Sequence, residues 1–123
     1  MKLLLLIGAG SFIGGVFRYL LSLLVQAKIL STFPFGTLTV NIFGCFLIGL
    51  VFGLTDRGDF SQEWRLFLVT GLIGGFTTFS AFSIETVALL GDGQYWHASA
   101  YILSSVFIGL IATLIGIAIV KFL

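Results

Sequence analysis

Long apolar segments that are almost free of charge constrain the fold of this chain more than any other feature. Only 9% of its 123 residues are Asp, Glu, Lys or Arg, and 59% are hydrophobic. A soluble domain carries roughly 25% charged residues, so this chain cannot cover a water-facing surface. Disordered chains are poor in apolar residues and are excluded as well. The net charge of +1 provides no basic field for nucleic acid.

Four apolar segments follow one another, at residues 3–27, 35–54, 64–90 and 98–120. Each is near or above the ~20 residues that an α-helix needs to cross the hydrocarbon core of a bilayer. The intervening loops are too short for another domain. We therefore predict an all-α, multi-pass protein of the cell inner (plasma) membrane, with four transmembrane helices in a single domain over residues 1–123.

The few charges indicate an orientation. With four spans both termini lie on one side, and that side carries four basic residues, while Lys28 lies on the other. The four are Lys2, Arg57, Arg65 and Lys121. The positive-inside rule favours cytoplasmic termini. This preference rests on few charges, and insertion in both orientations stays an alternative.

The third segment contains the least helix-compatible sequence. Gly74 and Gly75 are followed by the β-branched Thr77 and Thr78 near the middle of the span. A break there would free backbone groups at a depth where only protein, water or an ion can satisfy them. Discontinuous membrane helices often form ion sites in this way. The alternative is a continuous helix whose threonine hydroxyls bond back to its own carbonyls.

Aromatic and polar side chains follow this expected break. Phe79 and Phe82 share one helix face, and Thr78, Phe82 and Glu85 share an overlapping one. A phenyl ring has a positive edge, which can face an anion without the full charge that would trap it. The alternative is that both rings contact lipid. Glu85 favours the first interpretation, because an acid within a membrane span seldom faces lipid.

Other spans supply further polar candidates. Asn41 offers an amide donor without a full charge, and Thr37 precedes it by one helical turn. Tyr101 and Ser105 are spaced i, i+4 in the fourth segment, with Gly109 one turn further on. Such residues line a hydrophilic track or join helices through hydrogen bonds.

Arg18 is the only charge inside the first segment. It either snorkels and anchors the helix or attracts anions at the mouth of a path. Cys45 and His97 have no ligands at metal-binding spacing, so a packing role and a surface position are expected for them. Glycines four residues apart predict close helix contacts. These pairs are Gly10 with Gly14, Gly49 with Gly53, and Gly71 with Gly75.

Four stretches together resemble the Fluc (CrcB) family of fluoride channels. They are GGVFRY at 14–19, FGTLTVNIFGCFLIG at 35–49, GLIGGFTTFSAF at 71–82, and Tyr101 with Ser105 in the last segment. The resemblance extends over all four segments. The third-segment motif combined with an asparagine in the second is specific to this family.

The resemblance implies an antiparallel, dual-topology homodimer with two pores that passively export cytoplasmic fluoride. A structural Na⁺ is expected at the dimer interface, on the backbone carbonyls of Gly74 and Thr77 of each subunit. Arg18 would lie toward a pore vestibule. The implied pore residues are Phe79 and Phe82 as an aromatic box, Asn41 as a donor to fluoride, and a polar track of Thr37, Thr78, Glu85, Tyr101 and Ser105. Gly109 departs from members that carry a hydroxyl there, which leaves the inner end of the track open.

Three other classes compete with this interpretation. A small dual-topology, proton-coupled exporter of cationic compounds would use Glu85, and it would need neither a glycine break nor a phenylalanine pair. A structural membrane subunit would tolerate substitution of Asn41 and Phe79. An enzyme is least favoured, because the sequence has no nucleophile–base set and no metal cluster.

Overall fold

Helices joined by short turns make up the computed structural model, which describes residues 1–123. Helix α1 is Lys2–Lys28 and α2 is Phe35–Asp56. Helix α3 begins as an α-helix at Gln62–Arg65, continues as a π-helix over Leu66–Ile73 and ends with one α-turn at Gly74–Phe76. Helix α4 is Phe79–Gly91 and α5 is Tyr95–Phe122.

Four spans are long and apolar enough to cross a membrane, with α3 and α4 together forming the third. The predicted segments all lie inside the four observed spans, and no strand is present. The prediction of an all-α membrane fold with four transmembrane helices is therefore confirmed. The physical basis is the one used for the prediction, because a helix satisfies all of its backbone groups within one segment.

Polar side chains fix the ends of the helices. Ser61 precedes α3, and its hydroxyl accepts a hydrogen bond from the Trp64 N–H. At the other end of the bundle, Gln26 holds the turn between α1 and α2. Its amide nitrogen donates to the carbonyls of Ser31 and Phe33, and its amide oxygen accepts from the Gly36 N–H. These bonds satisfy backbone groups of the turn that have no partner within a helix.

Glycines bring the helices into backbone contact in two pairs, α1 with α3 and α2 with α5. A Cβ atom at Gly10 would lie 2.6 Å from the Phe67 carbonyl oxygen, and one at Gly75 would lie 2.6 Å from the Ser11 carbonyl oxygen. A Cβ at Gly49 would overlap the Thr113 carbonyl oxygen of α5, and one at Gly53 would lie 2.9 Å from Val120 Cβ. No residue with a side chain fits at such distances. The glycines at four-residue spacing are therefore contact positions, as predicted.

A small buried cluster closes the end of the bundle opposite the chain termini. Tyr101 and Ala98 of α5 are fully buried there, against Phe33 and Leu89. Most other large apolar side chains are exposed. A surface of this kind needs lipid or another protein chain around it.

The third span breaks at residues 77 and 78. Thr77 has φ −85° and ψ 156°, and Thr78 has φ −149° and ψ 114°, which is extended backbone. The predicted interruption is confirmed, and the continuous helix is excluded. The predicted position of the break, at the glycines, is wrong, because Gly74 and Gly75 remain helical.

Packing explains this displacement of the break. Gly75 lies against the α1 backbone at Ser11, a contact that keeps the last turn of α3 in place. The β-branched threonines that follow favour extended backbone. Thr77 then lies against Gly44 of α2, where any side chain would overlap the threonine methyl group. The glycines here allow the helices to approach closely, and the threonines form the break.

We expect Gly14→Ala to lower the free energy of unfolding by about 1–3 kcal/mol, since overpacking forces backbone shifts. A Cβ at this position would overlap the Leu72 carbonyl oxygen and lie 2.8 Å from the Phe76 nitrogen. Gly8→Ala is the matched control, because nothing lies within 4 Å of its Cβ position. Thermal unfolding in detergent, followed by tryptophan fluorescence, measures both variants. Equal losses in the two would contradict the contact assignment.

Candidate functional site

Asn41 of α2 holds the break in the third span with two hydrogen bonds. Its Oδ1 accepts from the Thr78 N–H at 2.8 Å, and its Nδ2 donates to the Thr78 carbonyl oxygen at 3.0 Å. One amide side chain thus satisfies both backbone groups of an extended residue at membrane depth. Sequence reasoning identified Asn41 as a polar candidate and missed this clamp, because the pairing joins residues that are distant in sequence.

The break changes the partners of two further carbonyls. In a continuous α-helix the Gly74 carbonyl would accept from the Thr78 N–H, and the Thr77 carbonyl from the Ala81 N–H. The Thr78 N–H goes to Asn41 instead, and the Ala81 N–H donates to the Thr78 hydroxyl at 3.2 Å. Gly74 is exposed and Thr77 is partly exposed. Both predicted sodium-binding carbonyls therefore lack their helical donors.

A cavity of about 330 Å³ lies beside the break, and we call it the aromatic cavity. The rings of Phe79 and Phe82 border it with centroids 5.5 Å apart. Phe82 also forms a T-shaped pair with Tyr101, at 5.0 Å between ring centroids. Phe79 is 80% exposed in the single chain. The remaining wall is formed by Asn41, Cys45, Ile48, Thr77, Thr78, Ser105 and Val106.

Ser105 contributes an unusual group to this wall. Its hydroxyl oxygen is the only buried side-chain polar atom in the structure without a hydrogen-bond partner. The adjacent Ser104 differs, because its hydroxyl donates to carbonyls of its own helix, those of Ala100 and Tyr101. A buried hydroxyl without a partner costs about 1–3 kcal/mol. The Ser105 hydroxyl is therefore the one buried side-chain donor that remains free for an acceptor brought close to it.

A second cavity of about 310 Å³ lies on the other side of Thr78, and we call it the arginine cavity. Arg18 enters it from α1 and donates from Nε to the Gly75 carbonyl oxygen at 3.3 Å. Thr37 and Glu85 line its far wall, and Thr78 lines both cavities. Ser22 and Gln26 add polar groups that the sequence interpretation had not included.

Glu85 lies between two hydroxyl donors. Thr37 donates to its Oε1 and Tyr101 donates to its Oε2, each at 2.7 Å. No cationic side chain forms an ion pair with it, since the only ion pair in the chain joins Lys2 and Glu63. Neutral donors thus satisfy both carboxyl oxygens, and three residues from α2, α4 and α5 form one polar cluster.

The structure brings the predicted residues together in two groups that share Thr78. The aromatic cavity collects Asn41, Thr77, Phe79, Phe82 and Ser105, and the arginine cavity collects Arg18, Thr37 and Glu85. Tyr101 borders neither cavity and connects the groups through Phe82 and Glu85. Gly74 also lines neither. His97 is exposed, as expected.

Four spans, a break at mid-membrane and two cavities that meet at that break and contain polar side chains define a small multi-pass membrane protein of the channel and transporter class. Comparison with known proteins gives the particular family. The family described as "CrcB-like protein, Camphor Resistance (CrcB)" matches residues 5–117. The chain belongs to this family, in agreement with the resemblance found in its sequence.

Individual relatives match over almost the whole chain. A protein of Flavobacterium psychrophilum is 46% identical over 98% of this chain and 98% of its own length. One of Rhizobium meliloti is 44% identical with the same coverage, and one of Thermus thermophilus is 46% identical over 94% of this chain and 93% of its own. All three are named "Fluoride-specific ion channel FluC".

Family membership confirms two general predictions, one on enzyme activity and one on location. The relatives are ion channels and not enzymes, so the prediction that this chain is not an enzyme is confirmed. The chain is a multi-pass integral protein of the plasma membrane, as predicted.

We expect Asn41→Leu to destabilise the protein by about 1–3 kcal/mol, because it leaves the N–H and C=O of Thr78 without partners. Thermal unfolding in detergent measures the change. Thr55→Val is the control, since the Thr55 hydroxyl bonds only to Val51 of its own helix. A Leu variant as stable as this control would show that Asn41 does not hold the break.

Proposed function

We propose that this chain forms a fluoride channel that passively exports cytoplasmic fluoride, with the aromatic cavity as part of its pore. The unpartnered Ser105 hydroxyl carries the proposal. It is a buried donor in a cavity that also holds two phenyl rings and the Asn41 side chain. An anion is an acceptor that such donors and ring edges can accommodate. The relatives' name supplies the identity of the ion.

The chemistry of the wall suits a small, strongly hydrated anion. A pore must replace the water around such an ion with several modest donors, and it must still release the ion. No cationic side chain lines the aromatic cavity. The Thr77 hydroxyl already donates to the Ile73 carbonyl oxygen, and one Asn41 amide hydrogen bonds the Thr78 carbonyl. The donors that remain are the hydroxyls of Ser105 and Thr78 and the second amide N–H of Asn41, which attract an anion without a full charge.

The route proposed for fluoride passes Thr78 and connects the two cavities. Arg18 supplies a positive charge in the arginine cavity, which fits a vestibule that attracts anions. Thr37, which lines the same cavity, and Tyr101 belong to the proposed polar track. Their hydroxyls both donate to Glu85. We assign to Glu85 the task of orienting these hydroxyls, because each of its carboxyl oxygens accepts a bond from one of them.

A second copy of the chain is part of the proposal. Irregular backbone does not face lipid at membrane depth, and here Gly74 is exposed beside the break. An antiparallel homodimer in which the two breaks cross would cover these groups with protein. The exposed apolar helix faces agree with such a partner.

The same carbonyls fit a structural Na⁺ at the dimer interface. Gly74 and Thr77 each offer a neutral carbonyl oxygen without its helical donor, and two copies of the chain double this set. Hard cations prefer oxygen ligands of this kind. A bound cation would satisfy the freed carbonyls and add positive potential beside the anion path.

The exporter alternative is not supported by these contacts. It expects an acid that is free to exchange protons or substrate, without a helix break or a phenylalanine pair. The chain has both features, and both oxygens of Glu85 already accept hydrogen bonds.

Flux through liposomes tests the function. Purified protein should release fluoride when a potassium ionophore is supplied, and chloride release should be far smaller. Ser105→Ala should slow fluoride release by about 2- to 10-fold, the equivalent of one hydrogen bond of 0.5–1.5 kcal/mol. Ser104→Ala is the matched control, because its hydroxyl bonds only within α5.

Phe82→Ile and Phe79→Ile extend this test to the rings, and both should abolish flux while the dimer still assembles. Equal release of chloride, or no release of either anion, would overturn the channel. Normal flux in both phenylalanine variants would remove the rings from the pore.

The cation is tested by stability. We expect the thermal unfolding midpoint in detergent to rise with NaCl relative to choline chloride at equal ionic strength. At ten times the dissociation constant the gain is about 1.4 kcal/mol. Identical midpoints in the two salts would contradict a structural Na⁺ and leave the flux test unaffected.

A further inference from the structure

A cleft of about 280 Å³ lies between the ends of α2 and α5, on the side of the bundle that carries the chain termini. We call it the basic cleft. Its buried members are Gly53 of α2 and Val120 of α5, and a Cβ at Gly53 would lie only 2.9 Å from Val120 Cβ. Two helices in direct contact therefore bound the cleft. The other lining residues are Phe52, Asp56, Arg57, Ile117 and Lys121.

The lining changes from apolar to charged along both helices. Phe52 precedes Asp56 by one turn on α2, and Ile117 precedes Lys121 by one turn on α5. Both spans end within two residues of these charged members. The charged part of the cleft therefore belongs at the level of the lipid headgroups, and the apolar part belongs at the edge of the hydrocarbon. A ligand that matches both levels has a charged head and an apolar chain.

Two cations in this cleft lack an acidic partner. The only ion pair in the chain joins Lys2 and Glu63, so neither Arg57 nor Lys121 is paired. Arg57 donates from Nη1 to the Val120 carbonyl oxygen at 3.0 Å, which holds its guanidinium beside the end of α5. A guanidinium has five N–H donors, and four of them stay free for a bound anion.

The charge of the lining indicates the class of ligand. Arg57 and Lys121 together with Asp56 give the cleft a net charge of +1, which a single phosphodiester neutralises. The planar guanidinium matches the spacing of two phosphate oxygens, and the lysine adds a point charge. Basic side chains at a membrane surface attract anionic lipids for the same electrostatic reason.

We propose that the basic cleft binds an anionic phospholipid, with the phosphate on Arg57 and Lys121 and the start of an acyl chain against Phe52 and Ile117. A free phosphate carries the same charge, but it would leave the apolar wall without a partner. The inference goes beyond the proposed channel function and does not depend on it.

Thermal unfolding in a neutral detergent measures this binding. Phosphatidylglycerol should raise the unfolding midpoint more than the same mole fraction of phosphatidylcholine with identical acyl chains, because a ligand of the folded state stabilises it. Inorganic phosphate at the same concentration should give no such rise. Native mass spectrometry should show phosphatidylglycerol retained on the protein in preference to phosphatidylcholine.

A pair of variants separates a defined site from diffuse attraction. Lys121→Gln should weaken the binding of phosphatidylglycerol about 5-fold, the equivalent of the ~1 kcal/mol that one basic residue contributes near a membrane surface. Arg65→Gln is the matched control and should leave the binding unchanged. Arg65 is also exposed, unpaired and on the side of the chain termini, but it does not line the cleft.

Three outcomes would overturn the inference. Equal midpoints with the two lipids would remove the preference for an anionic headgroup. Equal weakening in the two variants would show that the attraction depends on net charge alone. An equal rise with inorganic phosphate would show an anion site without a lipid. The fluoride-release experiment decides the channel function separately, because none of these outcomes bears on it.

Discussion

Backbone groups inside a bilayer must find partners within the protein, and this requirement governs the third span. The chain interrupts a helix at Thr77 and Thr78, at a depth where lipid offers no partner for the freed amides and carbonyls. The Asn41 amide satisfies both groups of Thr78, and the Thr78 hydroxyl caps the helix that follows. A break held in this manner is a defined structure with fixed geometry. The aromatic and arginine cavities lie on either side of it and share Thr78 as a common wall.

Glycine provides the closeness on which this arrangement depends. Helix α1 contacts the backbone of α3 through Gly10 and Gly14, and Gly44 admits the Thr77 methyl group against α2. These contacts position Asn41 near the break. The polar contacts of the site therefore depend on the contact glycines, because side chains at those positions would keep the helices apart. Phenylalanine rings and hydroxyl groups then line the aromatic cavity that remains beside these contacts.

Much of this could be predicted from residue type and spacing. The four spans follow from charge-free length, the contact glycines from their four-residue spacing, and the Phe79–Phe82 pair from its shared helix face. The position of the break could not be predicted. Local propensity disfavours Gly74 and Gly75 in a helix, but the packing of Gly75 against Ser11 outweighs it by keeping the last turn of α3 intact. The pairing of Asn41 with Thr78 joins two spans, and nothing in either local sequence specifies that contact.

The sequence by itself determined that this protein crosses a membrane four times, and it indicated an interruption in the third span with a continuous helix as the alternative. The hydrophobic effect acts along a single segment, so composition and order suffice for the four spans. Only the tertiary structure decided which polar side chains meet. It brought the Thr37 and Tyr101 hydroxyls to Glu85 and the Asn41 amide to Thr78, and it left the Ser105 hydroxyl without a partner beside the phenyl rings. Hydrogen bonds act over about 3 Å, so helix packing in three dimensions selects their partners.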